Sequence, residues 1–227
     1  MENLEVAVLI TGGKDSALAL YEAIKSGYKI KYLVTMIPQR ADSWMFHYPN
    51  IYLASLFAEA VDIPHVTANT MGVKEKELED LKKVLKNLDV SGVVSGAITS
   101  EYQKSRIDRV CRSLGLKSIA PLWHKHPVKL LEKLVNLRFE VIIVGVYAYG
   151  LDKNWLGKRL NPDVINELIE LNKKFQISIV GEGGEYETLV LDAPYFKKKI
   201  QILDSEIVWA GQSGFLKIKK AKLIAKK

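Results

Sequence analysis

Apolar and polar positions follow two rhythms along the chain, and the first half is the more regular. Short apolar runs stand at Val6 to Ile10, Ile30 to Met36, His65 to Ala68, Gly92 to Ser95 and Lys117 to Ala120. They lack the every-second-residue polarity of a half-exposed strand, so each is read as a strand buried on both faces. Between them, Ser16 to Ser26, Tyr52 to Val61, Glu75 to Leu88 and Ser105 to Leu114 carry apolar residues three and four apart, the spacing of an amphipathic helix, with Gly27 and Gly115 as C-terminal stops. Strands and helices taking turns predict an α/β fold: a doubly wound, Rossmann-like, parallel five-stranded sheet with helices on both faces.

After Pro121 the rhythm changes. A helix over Val128 to Leu137 leads into a strand over Val141 to Val146, then a polar loop and a helix over Pro162 to Phe175. Three further strand patterns, Glu187 to Leu191, Ile200 to Trp209 and Phe215 to Ala225, are separated by glycine and proline signals. The expected organisation is a first domain over residues 1–121 and a smaller C-terminal α+β domain over residues 122–227.

Composition narrows the classes. A chain of 227 residues with 48% hydrophobic and 26% charged residues can bury a substantial core and is neither disordered nor fibrous in character. The single cysteine, Cys111, excludes an internal disulfide and a multi-cysteine metal site; on an apolar helix stripe it reads as a small core residue, and it suits a reducing cytoplasm. No run approaches the ~20 apolar residues that a membrane-spanning helix needs. The N-terminus shows no secretion signal, so a soluble cytoplasmic protein is expected. The formal charge of +7 favours anionic ligands or acidic partners. The run Lys197 to Lys199 and the basic tail from Lys217 are read as solvated faces of edge strands.

Chemistry concentrates after the first strand, at Thr11, Gly12, Gly13, Lys14, Asp15 and Ser16. Two glycines between a strand and a helix let backbone N–H groups approach an anion closely, and the helix dipole favours negative charge there. Lys14 adds positive charge, Ser16 and Thr11 add hydroxyls, and Asp15 either caps the helix or holds magnesium through water. A plain tight turn explains the glycines but not the adjoining Lys, Asp and Ser. The spacing is neither that of the Walker loop nor that of the dinucleotide fingerprint. If the fourth strand lies beside the first, Ser95, Gly96 and Ala97 emerge at the same edge, and the backbone of Met36 at the end of the second strand lies near an adenine. Tyr102, Gln103 and Arg106 follow at a helix start, where Arg106 can neutralise phosphate charge that develops during transfer, while Arg109 falls further from the crevice.

These residues resemble the PP-loop ATP pyrophosphatases, the N-type group with an adenine nucleotide α-hydrolase-like fold, in which a Ser, Gly, Gly, Lys, Asp, Ser signature binds the pyrophosphate part of ATP; here Thr11 replaces the first Ser. Two further stretches, SGAITSEYQKSRIDRVCRSLGLKSIAPLW from Ser95 and GEGGEYETLVLDAPYF from Gly181, are similar to the diphthine–ammonia ligase family. The resemblance implies amidation of diphthine, a modified histidine on translation elongation factor 2, with ATP and ammonia consumed, AMP and pyrophosphate released, and an acyl-adenylate intermediate. It implies ATP and Mg2+ as cofactors, catalytic roles for Lys14, Asp15 and Arg106, and Asp15 as the metal-side carboxylate. Diphthine carries a quaternary ammonium, so Glu182, Gly183, Gly184, Glu185, Tyr186, Glu187 and Thr188, acidic and aromatic on a glycine base, are read as its receiver. Nucleic acid is not an expected partner, and self-association is compatible with the sequence. Two rivals stay open: a PP-loop RNA-modifying ligase or thiolase, which the basic charge suits but the missing cysteines weaken, and a non-catalytic nucleotide-binding module. His124 and His126 are too few for a metal site, and Trp44, Phe46, His47 and Tyr48 read equally as a lid or as packing.

Overall fold

The computed structural model describes residues 4–38, 50–71 and 76–226; the aromatic cluster Trp44, Phe46, His47 and Tyr48 lies outside them, as does Glu75. Five parallel strands, β1 (Glu5–Leu9), β2 (Lys29–Pro38), β3 (His65–Thr70), β4 (Gly92–Val94) and β5 (Lys117–Ile119), form a sheet in the order β3-β2-β1-β4-β5. Helices α1 (Lys14–Lys25), α2 (Ala54–Val61), α3 (Lys76–Lys86) and α4 (Glu101–Ser113) connect them.

Alternate residues of β1 show why the strands carry no polar positions. Val6 and Val8 join the core with Leu18 and Leu20 of α1 and Phe57 of α2. Ala7 joins the opposite core with Leu78, Leu81 and Leu85 of α3 and Ile107, Val110 and Cys111 of α4. Both faces of the sheet are therefore covered. Cys111 is the small buried residue expected, and burial lifts its thiol to about 11, which leaves it unreactive.

The second half builds α5 (Pro127–Asn136), α6 (Pro162–Phe175) and an antiparallel sheet of β6 (Glu140–Val146), β7 (Tyr186–Asp192), β8 (Lys198–Ala210) and β9 (Ser213–Ala225), ordered β7-β6-β9-β8. Its apolar residues, among them Leu131, Val144, Leu189 and Ile218, continue the core that α1 and α2 share with β1. Two polar joints lock the halves together. The side-chain amide of Asn50, wholly buried, donates to the Leu216 carbonyl (3.0 Å) and accepts from the Ile218 N–H (3.0 Å), so it pairs with the edge of β9 as a strand backbone would. The Val190 N–H of β7 donates to the Gly12 carbonyl (2.9 Å), which seats the second sheet directly against the loop after β1.

The basic residues are paired in part: Lys197 with Asp62, Lys199 with Glu140, Lys217 and Lys219 with Glu206, and Lys226 with Asp192. No helix among the described residues is long and apolar enough to cross a membrane.

Candidate active site

In the order β3-β2-β1-β4-β5 the chain winds away from β1 in both directions, so a crevice opens between the exits of β1 and β4. Two loops meet there. After β1, Gly12 adopts φ +89, a left-handed backbone that side chains disfavour, and this turns the chain into α1. After β4, Gly96 packs so tightly on the loop that an added Cβ would stand 2.8 Å from the Asp15 carbonyl carbon and 2.8 Å from the Ser16 nitrogen. The sequence places these glycines; the packing of Gly96 on Asp15 and Ser16 follows only from β4 lying next to β1.

The hydroxyls of the first loop hold its shape. Ser16 Oγ donates to the Gly13 carbonyl (3.1 Å) and lies 3.2 Å from Thr11 Oγ1, which accepts from the Gly13 N–H (3.3 Å). The cap of α1 is Gly13, which has no side chain to offer, and no side-chain hydrogen bond caps the helix. The Asp15 carboxylate takes the Lys14 ammonium at 2.8 Å.

Lys14 does not extend freely towards solvent. It is 3% exposed, its ammonium also donates to the Val180 carbonyl (2.5 Å), it stands 5.2 Å from the centre of the Tyr186 ring, and its backbone N–H donates to Thr188 Oγ1 (3.1 Å). Burial alone would discharge it, but Asp15, Tyr186 and Glu187 outweigh that and hold the ammonium charged, with its pKa above the ordinary value. Lys14 and the C-terminal motif thus form one electrostatic unit.

The acidic residues of that motif have separate surroundings. Glu182 reaches back to the β4–α4 loop, where Oε1 accepts from the N–H groups of Ile98 (2.7 Å) and Ser100 (2.9 Å) and Oε2 from the N–H of Thr99 (2.6 Å). Glu185 folds onto its own turn: Oε1 accepts from the Ser178 N–H (2.9 Å), and a Cβ on Gly183 would meet that oxygen at 2.8 Å. Gly184, with φ +86, lets the turn close. Tyr186 is buried, and its hydroxyl donates to the Ile179 carbonyl (2.7 Å). Glu187, partly buried, feels both charges of the first loop: burial, and then the Asp15 charge, push its carboxyl up to about 8 against the pull of Lys14. Burial likewise raises Asp15, with the Glu182 charge adding to it.

Other expected residues fall at different distances from this centre. Ser95 is 3% exposed, with a hydroxyl that finds no hydrogen-bond partner among the described residues, and Ala97 is buried beside it. Arg106 and Tyr102 come together, the guanidinium 3.5 Å from the ring centre, and Gln103 donates its N–H to the Ser100 hydroxyl that caps α4. Arg109 is exposed. Met36 sits buried in the core under α3 and α4, leaving only its backbone for a ligand. His124 stacks on Trp123, ring centres 4.5 Å apart, and no cluster of three metal-ligating side chains occurs among the described residues.

Sequence reasoning missed Tyr147. Its ring folds back over Gly145, where a Cβ would stand 2.8 Å from the hydroxyl oxygen, and Gly145 is the register partner of Glu187. Burial and the Glu187 charge push the Tyr147 hydroxyl up to about 12. The cue was available: a glycine in a strand two residues before a tyrosine just past the strand's end offers that ring a bare spot on the same face.

The family profile of the diphthamide synthase N-terminal domain matches residues 4–118, and that of the C-terminal domain matches residues 126–224. The chain is 37% identical to a diphthine–ammonia ligase of Schizosaccharomyces pombe over 95% of its own length and 39% of the relative's. Relatives with the same name from Bos taurus (35%) and Homo sapiens (36%) align with 93% and 90% of this chain and 88% and 85% of their own. Among solved structures, a predicted subunit of tRNA methyltransferase from Methanocaldococcus jannaschii is similar over 84% of this chain and 98% of its own, with 19% identity and a TM-score of 0.48. With both profiles matched in order and relatives aligned along nearly the whole chain, this protein belongs to the diphthamide synthase family.

Proposed function

We propose that this protein is a ligase that amidates diphthine on translation elongation factor 2, using ATP and ammonia and releasing AMP and pyrophosphate. The reading rests on family membership and, in the structure, on one observation that supports it: Lys14 of the loop after β1 is hydrogen-bonded to Thr188 of the acidic C-terminal motif and to Val180 just before it. A carboxylate oxygen is a poor leaving group towards ammonia. Adenylation cures this: the diphthine carboxylate attacks the α-phosphorus of ATP, pyrophosphate departs, and ammonia then displaces AMP from the acyl adenylate to form the amide. Protein groups contribute by holding the reactants and stabilising charge.

In this scheme the Thr11 to Ser16 loop seats the phosphates, with Ser95, Gly96, Ala97, Tyr102 and Gln103 along the nucleotide and the Met36 backbone towards the adenine. Lys14 and Arg106 neutralise developing negative charge. The Asp15 carboxylate, one-third exposed beside the Lys14 ammonium, is the oxygen donor that would hold a magnesium ion here. When bound, the ion would screen the pyrophosphate charge. The segment Glu182 to Thr188 forms the substrate wall, where the Tyr147 ring supplies an aromatic face for a quaternary ammonium and Glu187 a carboxyl that the arriving cation would draw towards its charged form. Residues 1–121 then act as the nucleotide half and residues 122–227 as the substrate half of a cytoplasmic enzyme.

Incubation with ATP, ammonium and diphthine-bearing elongation factor 2 tests this. AMP and a histidine whose acid has become an amide are expected in equal amounts; an unchanged histidine mass rejects the substrate.

A further inference from the structure

Glu182 precedes β7 and belongs to neither sheet, yet its carboxylate spans 82 to 84 positions of sequence to reach the loop between β4 and α4. There it gathers three consecutive backbone N–H groups, those of Ile98, Thr99 and Ser100, and the Thr99 hydroxyl donates to Oε2 at 2.5 Å. Successive amides converging on one anion form a nest, and charged acceptors make the stronger hydrogen bonds. Two residues before the nest, Gly96 lies against the backbone of Asp15 and Ser16. A continuous path of contacts therefore runs from the C-terminal motif, through the β4–α4 loop, to the phosphate loop.

We propose that Glu182 is a positioning residue for the nucleotide: from the substrate half of the molecule it clamps the β4–α4 loop against the phosphate loop. Glu182 is then set apart from Glu187, whose carboxyl answers to Lys14 and Asp15 instead. The proposal rests on reading Thr11 to Ser16 as the ATP site. It implies that loss of Glu182 weakens nucleotide binding in the absence of any protein substrate, because the loop it holds forms one wall of the nucleotide crevice.

A nonhydrolysable ATP analogue with magnesium, titrated calorimetrically into the full chain without elongation factor, tests the proposal. The isosteric Glu182→Gln, which keeps one acceptor oxygen, is used beside Glu182→Ala, and amide resonances of Ile98, Thr99 and Ser100 are followed by NMR. Analogue affinity should fall about tenfold in Glu182→Ala and less in Glu182→Gln. The three amide resonances should move in both variants while signals from the β8–β9 hairpin stay in place. Equal or tighter affinity in both variants, or unmoved amides, overturns the positioning role while the ATP reading stands. A wild-type chain that fails to bind the analogue overturns the ATP reading, and this proposal with it.

Discussion

At the scale of single residues, the crevice is built from close approaches that tolerate little change. An added methyl at Gly96 meets two backbone atoms at 2.8 Å, and backbone cannot rotate away as a side-chain tip can. Gly96→Ala should destabilise the fold by roughly 1–3 kcal/mol, as overpacking does, and weaken binding of an ATP analogue; thermal melts and calorimetry on one preparation measure both. Glu187 makes a pH prediction. Its carboxyl sits at about 8 in the fold against an ordinary 4.5, so between those values the native state keeps a proton that the unfolded chain has released. Stability therefore falls as pH rises through that window, and the loss is complete above it. Glu187→Gln should flatten the decline and raise the melting temperature at pH 8 but hardly at pH 5, against wild type in matched buffers. The opposite trend would mean that Glu187 is already ionised and held by Lys14 throughout.

At the scale of elements, the joints matter more than the elements themselves. Asn50 offers one donor and one acceptor to Leu216 and Ile218 of β9, and removing the amide strands both backbone groups in a buried place. Asn50→Ala should cost about 2–4 kcal/mol, the sum of two unsatisfied buried groups at roughly 1–2 kcal/mol each, read from the denaturant midpoint. Most elements were legible in the sequence because both strand and helix patterns were strong: the helix over Pro162–Phe175 has its expected bounds, and each parallel strand lies within a few residues of its apolar run. The start of α4 was less legible. It begins at Glu101, not Ser105, because Ser100 caps it and accepts from Gln103, a polar signal outweighed in the reading by the later apolar stripe. The loop chemistry of the site could be read because Gly12, Gly13 and Lys14 act where they stand. The partners of Lys14 could not, since Val180 and Thr188 lie 166 and 174 positions away and only the packing of β7 brings them there.

At the scale of the whole molecule, the two sheets share one core, and β7 is hydrogen-bonded to the loop after β1, so the proposed nucleotide and substrate sites would be mechanically joined. The formal charge of +7 is spread over lysines of which several already pair with carboxylates. The central claim is that this crevice activates a carboxylate by joining it to AMP. Diphthine labelled with heavy oxygen in its carboxylate, turned over with ATP and ammonium, tests that most directly through the mass of the released nucleotide. The account predicts AMP carrying one labelled oxygen for each amide formed; unlabelled AMP, or ADP as the product, would contradict it.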